Sequence, residues 1–260
     1  MRSCLLVFIL LSFVLWGCKP NDEQSKTLTI FAAASLTDLF TELGHNFEAQ
    51  HKDVRVRFNF ASSSQLATQI NNGLRGDIFA SANESQMEFI AKKGHIEAPP
   101  IIFAQNSIVL IVSKHSSIEI SDISDLEKDG IRFITAIEGV PIREYTNKLL
   151  ANLSQSDVYG ENFARQVFNN LVSEEINVRQ LVIKVALGEA DAAFVYASDI
   201  TPEIQDSLTV ITIPTEHNII ARYTIAVLDS SSQKALAQEF IAFILSADAT
   251  LEKWGFLPVE

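Results

Sequence analysis

The chain has 260 residues, 47% of them apolar and 20% charged, enough for a full core in one large α/β domain or two medium ones. Its 20 basic and 32 acidic residues give a formal charge of −12, which argues against nucleic acid as a partner, because that needs a basic face. Its two cysteines, Cys4 and Cys18, both sit near the start, so the body of the chain has no thiol for a disulfide or a Cys-based metal site.

Residues 1–17 read as a signal segment. Arg2 is followed by an apolar run over residues 5–16, interrupted only by Ser12 and too short to cross a bilayer comfortably. The run ends in Leu15-Trp16-Gly17-Cys18, which resembles the bacterial lipobox and points to lipidation of Cys18. Trp16 is bulkier than the usual residue there, and an ordinary signal peptide with an incidental cysteine is the other reading. Removing residues 1–17 takes away Arg2 and no acid, leaving a charge of −13. Residues 18–26 are polar and aperiodic, as in a flexible tether.

Residues 27–33 (TLTIFAA) form a short apolar strand. The period then changes: Leu36, Leu39, Phe40, Leu43 and Phe47 share one helical face. Ser35 stands at the expected N-cap, with Asp38 three residues on. The pattern repeats with an alternating strand over 54–60, Ala61 to Ser64, and a helix through Leu66, Ala67 and Ile70 that stops near Gly73. A strand over 77–80 and a helix over 85–93 follow, before Pro99-Pro100 breaks the chain.

Beyond the prolines, strands are expected at 107–113, 131–137, 192–196, 208–213 and 223–228. Helices are expected at 142–153, 162–171, 178–187 and 233–245, followed by a tail. Pro141 suits a helix start. Alternating strands and helices predict an α/β fold with largely parallel sheets.

Catalytic signatures are thin. His45, His51, His95, His115 and His217 are scattered, with no HxH or HExxH spacing, and no GxSxG, Walker or GxGxxG motif occurs. What stands out is the twice-used strand–serine–helix junction. A helix start carries free N–H groups and the positive end of the macrodipole, and a serine adds a hydroxyl donor. Either Ser35 and Ser63 cap their own helices, or the two junctions converge on one anion-binding crevice at the carboxyl ends of neighbouring strands.

FAAASLTDLF, FASSSQLATQI and GDIFASAN, followed in order by GVPIREYTNKLL, INVRQLVIKVALGEADAAFVYASDI and FIAFILSADATLEKWGFLPV, together resemble the molybdate-binding protein of bacterial ABC importers. The resemblance covers residues 27–260. It implies an α/β two-domain periplasmic-binding-protein fold of type II, with the ligand cleft between domains. The first domain would be residues 27–104 with 225–260, and the second residues 105–224.

It also implies a monomeric, extracytoplasmic lipoprotein, held to the membrane through Cys18, that delivers molybdate or tungstate to an ABC permease without catalysis or cofactor. The anion would be held by uncharged donors: the hydroxyls and N–H groups of Ser35 and Ser63, the N–H groups of Ile142 and Val178, and the hydroxyl of Tyr196. No metal ligands are implied. This chain departs from the family at Pro141-Ile142-Arg143, where a small residue and glycine usually follow the proline. Arg143 is expected at solvent or in an ion pair between domains, and Arg179 at a brace of the hinge-side loop. The alternatives are the same fold holding a sulfate-like oxyanion or small carboxylate, or, more distantly, an enzyme or adhesion lipoprotein on this scaffold.

Overall fold

The computed structural model describes residues 25–259; the expected signal segment, Cys18 and most of the tether lie outside the described residues. Strand β1 (Lys26–Ala33) is followed by helix α1 (Thr37–Gln50), β2 (Val54–Ala61), α2 (Ser63–Asn71), β3 (Ile78–Ser81) and α3 (Glu84–Lys92). A long strand β4 (Ile101–Ser113) leads to β5 (Phe133–Ala136), α4 (Pro141–Ser154), α5 (Phe163–Asn169), β6 (Leu171–Glu175), α6 (Val178–Ala186) and β7 (Ala192–Tyr196). The chain closes with β8 (Leu208–Thr212), β9 (Ile220–Val227), α7 (Lys234–Leu245) and α8 (Asp248–Lys253).

Among the described residues the strands order as β2-β1-β3-β9-β4-β7-β5-β6, with β8 beside β4. The sheet changes partners part-way along β4. Residues 101–107 pair antiparallel with β9, whereas residues 108–113 pair antiparallel with β7 and β8. One half of the molecule therefore gathers β1, β2 and β3, and the other gathers β5, β6 and β7. β4 and β9 are the strands shared across the boundary.

Strand registers set the position of the site. β1 runs parallel to β2 and β3, with Ala33 opposite Ala61 and Ala32 opposite Ala80, so all three strands end at one edge. In the other half β5 runs parallel to β6, with Ala136 opposite Glu175. The helices α1, α2, α4 and α6 start where these strands stop, so their N-termini collect at the strands' carboxyl ends.

The period of two in β1 splits its side chains between two cores. Ile30 joins the main core, and Phe31 joins a smaller cluster with Phe79 of β3 and with Leu66, Ile70, Met87 and Ile90 of α2 and α3. On the opposite face α1 and α7 meet through aromatic edges, with Phe47 and Phe240 centroids 5.0 Å apart at 84°.

Three elements differ from the sequence expectation. β4 begins at Ile101, directly after Pro100, because its first residues pair with β9 rather than looping. β6 occupies Leu171–Glu175, where only a helix end is expected, and Asp248–Lys253 is a short helix rather than a tail.

Asp77 ties the C-terminal return to the first half. Its buried carboxylate accepts the Thr29 N–H at 2.7 Å and the Ser231 hydroxyl at 2.6 Å. Truncating it strands both donors. Asp77→Ala is expected to lower the unfolding free energy by about 2–3 kcal/mol in urea titration; a change below about 0.5 kcal/mol would contradict this role.

Candidate functional site

Four helix starts surround one cavity, and each is built differently. After β1, residues Ala34–Leu36 make a single 3-10 turn before α1, held by the Thr37 hydroxyl donating to the Ala34 carbonyl at 2.7 Å. Ser35 lies inside that turn, not at the N-cap, and its Oγ accepts the Tyr223 hydroxyl at 2.9 Å. Asp38 does not close a capping box either; it pairs with Arg179 from the opposite half. The capping reading of Ser35 is thus corrected: the 3-10 turn displaces the helix start to Thr37, beyond the serine's reach.

The second junction gives capping to a neighbour of Ser63. Ser62 caps α2 by accepting the Gln65 N–H at 3.3 Å, and the Gln65 side chain accepts the Ser62 N–H at 3.3 Å. Ser63 is left free of that duty, and its Oγ accepts the Ala82 N–H at 3.0 Å. In the other half, Asn177 caps α6 through the Gln180 N–H at 3.1 Å, placing Val178 at the first helical position. α4 starts at Pro141 after Val140, placing Ile142 at the second position. Backbone N–H groups in a helix's first turn have no intrahelical acceptor.

Tyr196 ends β7. Its ring meets those of Tyr145 at 6.1 Å and Tyr223 at 5.6 Å, and its buried hydroxyl has no hydrogen-bond partner among the described residues. Burial pushes the Tyr196 and Tyr223 hydroxyls well above the usual tyrosine range, so both remain protonated donors.

Ser35, Ser63, Ile142, Val178 and Tyr196 line this same cavity, with Ala33, Ala34, Ser62, Ala82, Val140, Pro141 and Asn177. The space they enclose is small, on the scale of one water molecule. Among the described residues no Lys, Arg, His, Asp or Glu side chain lines it. The donors on the lining itself are helix-end N–H groups and hydroxyls. A tetrahedral anion fits such a lining, whereas acid–base chemistry would need a titratable pair.

The two arginines near the cleft stand differently from expectation. Arg143 is buried within its own half. It pairs with Glu174 at 2.7 Å and Glu138 at 3.0 Å and lies over the Phe168 ring at 4.9 Å, so it reaches neither solvent nor the other half. The ion pair between halves belongs to Arg179, which meets Asp38 and also donates from Nε to the Ala34 carbonyl at 3.3 Å.

Further contacts cross the cleft. Asn83 donates to Glu144 at 2.8 Å, Gln86 to the Gly139 carbonyl at 3.1 Å, and the Tyr145 hydroxyl to the Ala82 carbonyl at 3.3 Å. These describe a closed arrangement. Sequence reasoning did not find Ser62, Asn177, Tyr145 or Tyr223. The first two carried a readable signal, Ser-x-x-Gln and Asn-x-x-Gln before apolar periodicity.

The family model for the bacterial extracellular solute-binding protein matches residues 28–257. The chain belongs to that family. It is 35% identical over 236 residues to the molybdate-binding protein ModA of Mycobacterium tuberculosis, covering 90% of this chain and 85% of that protein. It is 28% identical over 262 residues to a putative ABC transporter substrate-binding lipoprotein, YvgL, of Bacillus subtilis, covering 98% and 95%. Among solved structures it resembles the substrate-binding domain of a putative molybdenum ABC transporter from Clostridium difficile, with TM-score 0.66 and 27% identity over 91% of this chain and all of that one. The fold is accordingly the two-domain type II form with the cleft between domains. Among the described residues no helix is long and apolar enough to cross a membrane.

Asp199, just behind the Tyr196 strand end, gives a pH signature. One of its oxygens accepts the Tyr196 N–H at 3.2 Å, the other has no partner, and burial pushes its carboxyl up to about 7. An unfolded Asp titrates near 4, so between about pH 4 and 7 the folded state keeps a proton the unfolded chain releases. Stability from this group therefore falls as pH rises through that window. Asp199→Asn is expected to flatten the fall in Tm between about pH 5 and pH 7.5; slopes equal to wild type would refute the assignment.

Proposed function

We propose that this protein captures molybdate or tungstate and delivers it to the permease of an ABC importer. The anion is held by the hydroxyls of Ser35, Ser63 and Tyr196 and the N–H groups of Ser35, Ser63, Ile142 and Val178. The observation that carries this reading is the Tyr196 hydroxyl, buried on the cavity wall without a partner. A buried polar group left unpaired costs about 1–3 kcal/mol, and a bound oxyanion removes that cost.

The serines support the same reading. Each has a lone pair occupied by a protein donor, which leaves its own hydrogen for a guest. A lining built of donors favours a fully deprotonated tetrahedral dianion over one that carries a proton and needs an acceptor. Molybdate is also the ligand named for the mycobacterial relative.

Residues 27–104 with 225–260 form one lobe and residues 105–224 the other in this reading, and binding shifts the equilibrium toward closure about β4 and β9. Cys18 carries the lipid that keeps the monomer on the outer face of a membrane. The sequence around Cys18 supports this, as does likeness to a relative named as a lipoprotein along nearly its whole length.

Calorimetry with molybdate, tungstate, sulfate and phosphate tests the ligand. Binding heat is expected with the first two and none with phosphate; heat with sulfate and none with either metal oxyanion would replace this reading by a sulfate-binding one. Ser63→Ala is expected to weaken molybdate binding about 10- to 100-fold, the range for a hydrogen bond to a charged group. An unchanged Kd would remove Ser63 from the site.

A further inference from the structure

We propose that Tyr223 is a positioning residue that aims the Ser35 hydroxyl hydrogen into the anion cavity. The inference rests on the oxyanion reading above and extends it to a side chain outside the cavity lining. Tyr223 is fully buried on β9, one of the two strands shared between the halves. Its backbone is fixed by antiparallel pairing opposite Ala104 of β4. Its ring is held between Phe256 at 5.3 Å, Tyr196 at 5.6 Å and Phe103 at 6.3 Å.

From that fixed place the hydroxyl donates to Ser35 Oγ at 2.9 Å. A serine hydroxyl has one hydrogen and two lone pairs. With one lone pair facing the Tyr223 proton, the serine's own hydrogen must point elsewhere. Among the described residues Ser35 Oγ donates to no protein acceptor, and the cavity is the open side of the side chain. The Tyr223 bond therefore selects the rotor that a bound anion needs. It also polarises Ser35, since a hydroxyl that accepts a hydrogen bond becomes a better donor. Burial keeps the Tyr223 proton in place across the working pH range. The Ala82 N–H acts in the same way on Ser63, but there the donor is backbone, and only a proline, which also constrains the chain, would remove it.

The test is a double-mutant cycle on the whole protein, read as molybdate Kd by calorimetry. Tyr223→Phe keeps the ring and removes the donor. It is expected to weaken binding about 3- to 10-fold when Ser35 is present, and less than about twofold in a Ser35→Ala background. A purely structural role would cost the same in both backgrounds, and that result, or an unchanged Kd with Ser35 present, overturns the proposal. A second arm replaces Tyr223 with 3-fluorotyrosine, whose more acidic hydroxyl is a stronger donor. Binding should tighten with Ser35 present and stay unchanged in Ser35→Ala; no tightening overturns the proposal. Absence of heat from the unmodified protein with both molybdate and tungstate would overturn the oxyanion reading and this one together. Heat from the unmodified protein with additive Tyr223 and Ser35 effects overturns this one alone.

Discussion

The structure depends on unpaired N–H groups at helix starts, gathered from two halves of the chain around one small space. Each helix start carries partial positive charge and donors that its own helix leaves unsatisfied. In water those groups are solvated at little cost. Around a small cavity they need either trapped water or an anion. The parallel registers β1–β2–β3 and β5–β6 bring this about, because parallel strands end together and their following helices start together.

The caps at two of these helix starts are neutral. Ser62 with Gln65, and Asn177 with Gln180, satisfy end groups without placing a carboxylate beside the cavity. An Asp cap would be equally good for the helix but would repel an anion a few ångströms away. The nearby arginines are each paired with carboxylates: Arg143 with Glu138 and Glu174, Arg179 with Asp38. The site can thus hold a dianion inside a chain with a large acidic excess, since oriented donors at contact distance outweigh distant, screened charges. The crossing contacts Arg179–Asp38, Asn83–Glu144 and Gln86–Gly139 join the rims of the same cavity. They are exposed or half-buried and individually weak, so closure is available to a guest that adds several charge-assisted bonds at the centre.

Much of this was legible in the sequence, because it is local. The change from strand to helical periodicity at Ala33–Leu36 and Ala61–Leu66 marks both junctions and their lining residues Ser35 and Ser63, whereas Ile142, Val178 and Tyr196 came only with the family resemblance. What was not legible is long-range. Tyr223 lies 188 positions from Ser35, and nothing near either residue signals their bond. The destination of Arg143 depended on Glu174, within a strand that alternates Leu, Val, Ser, Glu and Glu after a helix with no glycine or proline between them. Ser35 was misplaced as a cap because a 3-10 turn and an N-cap look alike in sequence.

The most direct measurement is anomalous X-ray scattering from a crystal grown with tungstate or molybdate. One strong peak is expected in the cavity, with the anion's oxygens within about 3.2 Å of the Ser35, Ser63 and Tyr196 hydroxyls and the Ile142 and Val178 amide nitrogens. A peak seated against lysine or arginine side chains elsewhere, with this cavity holding only water, would contradict the idea that uncharged helix-end donors hold the ligand.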